Sequence, residues 1–243
     1  MSDKSLNFEI SFNKAINKKH FETAKKSVKK LPDGFTVTFH AGALKTKPNS
    51  LESIRAALDY GAKVVEFDVT FRPDGTAVIL HADEAKANEG ALLDEALAVV
   101  ATSKECRINL DIKSTANLPA VDALVKKHGL FERVFYTGVF EDWVETVRNT
   151  SDIPYFLNHK LTKEESDSKE LLQKLADKII ALGAIGLNSN FSNASLTATQ
   201  IMHKNGLLVS LWTANKPRDM ANVIECLPDN ITTKKPHILL AMI

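Results

Sequence analysis

Eight short runs rich in β-branched and aromatic residues recur along this chain, at 35–40, 63–70, 107–113, 133–136, 153–157, 184–188, 207–213 and 230–232. Between them lie longer stretches with helical spacing, at 50–60, 92–102, 118–128, 141–148, 163–182, 196–205 and 217–225. Strands that alternate with helices pair in parallel, because each helix carries the chain back to the start of the next strand. Eight such units predict an α/β fold of the (β/α)8 TIM-barrel class. One further extended piece, 77–81, follows the Pro73-Asp74-Gly75 turn and is expected to pair locally rather than join the barrel.

The rest of the organisation is simple. The 243 residues suit one domain, and no Ser/Gly linker, low-complexity run or internal repeat divides them. Ahead of the barrel, which is assigned to 35–243, an N-terminal helical extension is assigned to 1–34. Within it, residues 12–31 carry Lys14, Lys18, Lys19, Lys25, Lys26, Lys29 and Lys30 beside Ile16, Phe21, Ala24 and Val28 at near-helical spacing. This segment reads as a helix packed on the end of the barrel with a solvated basic face; a patch for anionic lipid is the alternative.

Charge excludes some functions. Lys plus Arg at 31 against Asp plus Glu at 30 leaves a net charge of +1, and the basic residues are not interleaved with aromatics, so no nucleic-acid partner is expected. Residues 1–30 hold no apolar signal core, and no run approaches the ~18 apolar residues that a membrane helix needs. A cytoplasmic protein without an integral membrane segment is expected. Cys106 and Cys226 are too few for a disulfide framework and too far apart in sequence for a metal knuckle, so both read as buried thiols.

A parallel barrel strand covered on its outer face should place polar residues inward only for a reason. Here Thr36, Thr38 and His40 share one face of the first strand, Glu66 and Asp68 one face of the second, and Asn109, Asp111 and Lys113 one face of the third. The ionisable members fall at the C-terminal ends of their strands, where barrel enzymes build their sites. Three converging carboxylates repel one another unless a cation holds them, and hard oxygen donors suit Mg²⁺ or Ca²⁺. The structural alternative pairs these acids with Lys63, Arg72 and Lys113. His40 and His81 could reach the same mouth and divide acid and base work. His20, His128, His159, His203 and His237 read as structural.

In combination and order these pieces resemble the glycerophosphodiester phosphodiesterase family. The resemblance rests on His40-Ala41-Gly42, Pro48-Asn49-Ser50-Leu51, Glu66-Phe67-Asp68-Val69, Asp74-Gly75-Thr76 leading to His81, Asn109-Leu110-Asp111-Ile112-Lys113, Leu211-Trp212-Thr213-Ala214-Asn215, and Ile231-Thr232-Thr233 before Pro236. It implies a TIM barrel that hydrolyses small phosphodiesters, glycerophosphodiesters among them, to an alcohol and glycerol 3-phosphate. It further implies a divalent cation on Glu66, Asp68 and Asp111, catalytic His40 and His81, and substrate contacts from Lys113 and Trp212.

The chain departs from the family pattern at four places. Ala41 replaces an Arg that would contact phosphate, a loss that Arg72 or Lys113 would have to compensate. Ala82 stands where an acid follows the second His, with Asp83 one step later, and a Glu is missing between Pro48 and Asn49. Asp111 replaces a Glu, and the insertion that usually caps the site is nearly absent. These changes leave two alternatives open: a catalytically impaired barrel that binds a phosphodiester, and a phospholipase D-like or cyclising lyase acting on lysophospholipids.

Overall fold

The computed structural model describes residues 30–243. The expected helix at 12–31 and the extension of which it is part lie almost wholly outside these residues. Eight parallel strands form the barrel: β1 Thr36–Phe39, β2 Val64–Phe71, β5 Arg107–Ile112, β6 Val134–Val139, β7 Tyr155–Asn158, β8 Gly186–Asn190, β9 Leu208–Trp212 and β10 Asn230–Thr233. Each pairs with its neighbour in that order, and β1 closes the ring by pairing with both β10 and β2. The expected barrel is therefore present, with strand ends within about three residues of those predicted.

The local piece is also where it was expected, outside the ring. β3 Ala77–Ile79 runs antiparallel to the end of β2, through Val69↔Ile79 and Phe71↔Ala77. A two-residue strand that the sequence did not suggest, β4 Ala91–Leu92, pairs with β3 in turn. Only a loop, residues 80–90, joins them, so no capping subdomain is inserted at this point of the chain.

Helices α1 Leu51–Asp59, α2 Leu93–Ala101, α3 Leu118–Lys127, α4 Val144–Thr150, α5 Lys163–Asp167, α6 Lys169–Ala181, α7 Leu196–Lys204 and α8 Pro217–Glu225 surround the strands. Three features differ from expectation, the first being that residues 141–143 of the helix expected at 141–148 form a 3-10 turn. The single helix expected at 163–182 is two, because Ser168 turns extended and its hydroxyl caps α6 by accepting the Leu171 N–H. A last helix, α9 Pro236–Met242, was not anticipated; it starts on a proline, whose fixed φ suits a first helical position.

The alternating strands sort their side chains as the sequence suggested. Val65, Phe67 and Val69 of β2 and Ile108, Leu110 and Ile112 of β5 pack outward in the main core with α2 and α3 residues such as Leu93, Leu97, Leu118 and Val121. Inside the barrel, Val64, Phe135 and Phe156 form a small apolar floor, with the two phenyl rings edge-on at 5.4 Å. A polar layer is internally satisfied: Asn230 accepts from Thr38 at 2.7 Å and donates to Ser210 at 3.0 Å. Sealing one end of the barrel this way leaves its ionisable side chains at the other. Cys106 and Cys226 are free and buried, as expected.

Candidate active site

At the C-terminal ends of the strands a cleft of about 650 Å³ opens, lined by His40, Glu66, Asp68, His81, Asp111, Lys113 and Trp212 among others. Every residue singled out from the sequence as a site candidate thus reaches one cavity. His40 follows β1 directly, Lys113 follows β5, and His81 stands two residues beyond β3 at an exposed position on the rim.

The acids sit deepest. One oxygen from each of Glu66, Asp68 and Asp111 lies within 4.8 Å of the others. Glu66 is buried, and burial together with the charges of Asp68 and Asp111 pushes its carboxyl well above the ordinary range. Its Oε2 accepts the Ala41 N–H at 2.8 Å and stands 3.6 Å from His40 Nδ1. Lys113 Nζ lies 3.0 Å from Asp68 Oδ1 and also bonds Asp111 Oδ2. Burial alone would lower its basicity, but the two carboxylates outweigh burial and hold it firmly charged. Burial is also the chief reason that the His40 pKa is lowered, so its imidazole is mostly neutral near pH 7.

The structural alternative for these acids survives only at Lys113. Lys63 pairs instead with Glu105 at the surface, and Arg72 donates to the carbonyls of Glu89 and Gly90 at 3.0 and 2.8 Å, away from the cleft. If all three carboxylates were ionised against one ammonium, two negative charges would be left in a small buried volume, a repulsion that the raised Glu66 pKa relieves by holding a proton and that a cation would relieve instead. That balance, with hard oxygen donors close together, fits a divalent cation.

Several residues that position the site were given no role from the sequence, although Asn49 belongs to one of the pieces that carry the resemblance. Asn49 donates from Nδ2 to Asp68 Oδ2 at 2.6 Å and accepts the Asp68 N–H on Oδ1 at 3.0 Å. The missing Glu before it thus leaves Asp68 well supported. Thr137 donates to Asp111 Oδ1 at 2.9 Å. Gly138, at φ +79°, packs so tightly that a Cβ there would meet Ile112 O at 2.3 Å and Asp111 Oδ1 at 2.8 Å. Its N–H donates to Asn158 Oδ1 at 3.0 Å, and the same oxygen accepts from Asn188 at 2.9 Å. Asp83, Phe140, Asp142, Trp143 and Lys234 complete the rim. His128, His159 and His203 each pair with a carboxylate elsewhere, at 2.7 to 2.9 Å, in keeping with structural roles.

Comparison with known proteins agrees with this geometry. Residues 40–88 match the sequence model of the glycerophosphoryl diester phosphodiesterase family. That span holds His40, Glu66, Asp68 and His81. No protein of curated function matches the chain in sequence. Among solved structures, a Silicibacter pomeroyi protein described as a candidate glycerophosphoryl diester phosphodiesterase superposes with a TM-score of 0.71 at 20% identity, over 86% of this chain and 92% of that one. An Oleispira antarctica phosphodiesterase in complex with the product sn-glycerol-3-phosphate gives 0.68 at 18% identity, over 87% and 96%. The glycerophosphodiester phosphodiesterase of Thermotoga maritima gives 0.63 at 19% identity, over 84% and 96%. At these identities the likeness is one of fold. Among the described residues no helix is long and apolar enough to cross a membrane.

Proposed function

We propose that this barrel, which carries the glycerophosphoryl diester phosphodiesterase pattern at residues 40–88, hydrolyses glycerophosphodiesters to an alcohol and glycerol 3-phosphate. The observation that carries the reading is the meeting of two imidazoles, three carboxylates and an ammonium in one open cleft.

In the proposed reaction a water oxygen attacks phosphorus and the phosphorus–oxygen bond to the alcohol breaks. His40 suits the removal of the water's proton, because burial keeps its imidazole neutral. His81, exposed at the rim, would return a proton to the departing alkoxide. Lys113 would neutralise phosphoryl oxygens while offsetting the repulsion between Asp68 and Asp111. Trp212 would wall the glycerol part. Glu66, Asp68 and Asp111 would hold a divalent cation, Mg²⁺ or Ca²⁺, which polarises the phosphate when bound. Asn49 and Thr137 orient two of those carboxylates through the bonds given above.

The test is release of glycerol 3-phosphate from a panel of glycerophosphodiesters, with Mg²⁺, Ca²⁺ or EDTA. Release that needs a divalent cation and drops at least about 100-fold in His40→Ala is expected. Retention of full activity in both His40→Ala and Glu66→Gln would reject these roles. A second reading, a barrel that binds a phosphodiester without turning it over, is favoured by one observation: Ala41 offers only a buried methyl. Tight binding without turnover in saturating cation would select it, and a persistent cyclic phosphate product would select a lyase.

A further inference from the structure

A diester phosphate brings one negative charge to the cleft, and the monoester product carries about two. A cation not already engaged by protein carboxylates has all of its donors open to meet that change of charge, in addition to what Lys113 offers. Lys113 is engaged by Asp68 and Asp111. Arg72 is committed to two backbone carbonyls outside the cleft. Lys234 is different: it lines the cleft, is exposed, and among the described residues has no carboxylate within ion-pair distance.

Its main chain is held on both sides. The Lys234 N–H donates to Asn215 Oδ1 at 2.8 Å, and the same oxygen accepts the Thr233 hydroxyl at 3.2 Å. The Lys234 carbonyl accepts the Leu44 N–H at 3.3 Å, and the Thr233 carbonyl accepts the His40 N–H at 3.1 Å. The turn after β10 is therefore fastened both to the loop after β9 and to the His40 loop.

We propose that Lys234 is a phosphate-binding residue of this cleft, supplying from the β10 side the cation that the methyl of Ala41 cannot. The proposal rests on reading the site as a phosphodiesterase. Lys234 contacts a non-bridging phosphoryl oxygen and transfers no proton, so its charge matters more than its basicity. It stabilises bound substrate and product alike.

The experiment compares Lys234→Ala, Lys234→Arg and Lys234→Glu with the unsubstituted chain, measuring kcat/KM and inhibition by glycerol 3-phosphate. A charge-assisted contact predicts a loss of about 10- to 100-fold in kcat/KM for Lys234→Ala, with a parallel weakening of product inhibition. Lys234→Arg should recover most of the loss, and Lys234→Glu should lose more. Because Lys234 is exposed, thermal melting should stay unchanged in all three. If the unsubstituted chain hydrolyses diesters and Lys234→Ala matches it in both constants, the proposal is overturned while the phosphodiesterase reading stands. If the unsubstituted chain hydrolyses nothing, that reading fails, and calorimetry with glycerol 3-phosphate decides the rest. Binding weakened in Lys234→Ala would support the proposal; equal binding, or none to either protein, would overturn it.

Discussion

Asn49 grips Asp68 twice, donating to its carboxylate at 2.6 Å and accepting its main-chain N–H at 3.0 Å. The pair fixes both the position and the rotation of one carboxylate of the cluster. Loss of such a supporting bond usually costs about 10- to 100-fold in cation affinity or activity, and that is the expected effect of Asn49→Ala. Because Asn49 has φ +50°, Ala also strains the turn. Asn49→Gly relieves the strain but lacks the carboxamide, so equal losses in the two variants, read from activity against cation concentration, would assign the effect to the hydrogen bonds.

Gly138 admits no side chain. Its φ of +79° and the backbone oxygen of Ile112, 2.3 Å from where a Cβ would lie, both oppose one. Gly138→Ala is expected to cost about 2 to 4 kcal/mol, from the left-handed backbone and the overpacking together. Urea unfolding would measure it. A change under 1 kcal/mol would mean that β5 and β6 can part at low cost.

Burial and neighbouring charges raise the Glu66 pKa in the folded chain, against about 4.3 when unfolded. The folded state therefore binds more protons in the window between the two values. This contribution to stability is greatest below the unfolded value and is lost as pH rises through the folded one. A divalent cation binds the ionised form and offsets the loss. Its addition should raise Tm more at about pH 8 than at about pH 5, and Glu66→Gln should flatten that difference. An equal rise at both pH values would place the cation elsewhere.

Asp122 on α3 holds the barrel together away from the cleft. It accepts from Ser151 at 2.5 Å, from the Asp152 N–H at 2.9 Å and from the Tyr136 hydroxyl at 3.3 Å. Asp122→Ala leaves three donors without their acceptor, so a loss of about 2 to 4 kcal/mol in unfolding free energy is expected. The cleft should be untouched, and kcat at a temperature well below Tm should hold steady.

The barrel was legible because its strands repeat one rule. Val65-Glu66-Phe67-Asp68-Val69 and Ile108-Asn109-Leu110-Asp111-Ile112 alternate so strictly that each strand states which face is inside. The acids and His40 could be placed for the same reason, since strand periodicity also sets their direction. His81 needed the hairpin to be recognised as well. Residues brought in by loops were not legible: nothing local in Pro48-Asn49-Ser50 says that the carboxamide reaches Asp68, nineteen positions on. Gly138 lay between the strand expected at 133–136 and the helix expected at 141–148, and nothing local says that it sits in β6 against β5. Asp142 and Trp143 fell inside an expected helix, whose first turn is in fact a 3-10 turn on the rim. Ser168 looked like one polar residue in a long helical stretch, and only its cap on α6 shows why the helix breaks there.

The bond from the Ala41 N–H to Glu66 belongs to the peptide backbone, and so to no particular side chain. Any residue except proline carries that N–H. Position 41 can therefore carry a guanidinium or a methyl while the buried carboxylate keeps its anchor. The anchor of this carboxylate is thus written in the course of the chain, whereas any contact that a side chain at position 41 makes depends on the residue that stands there.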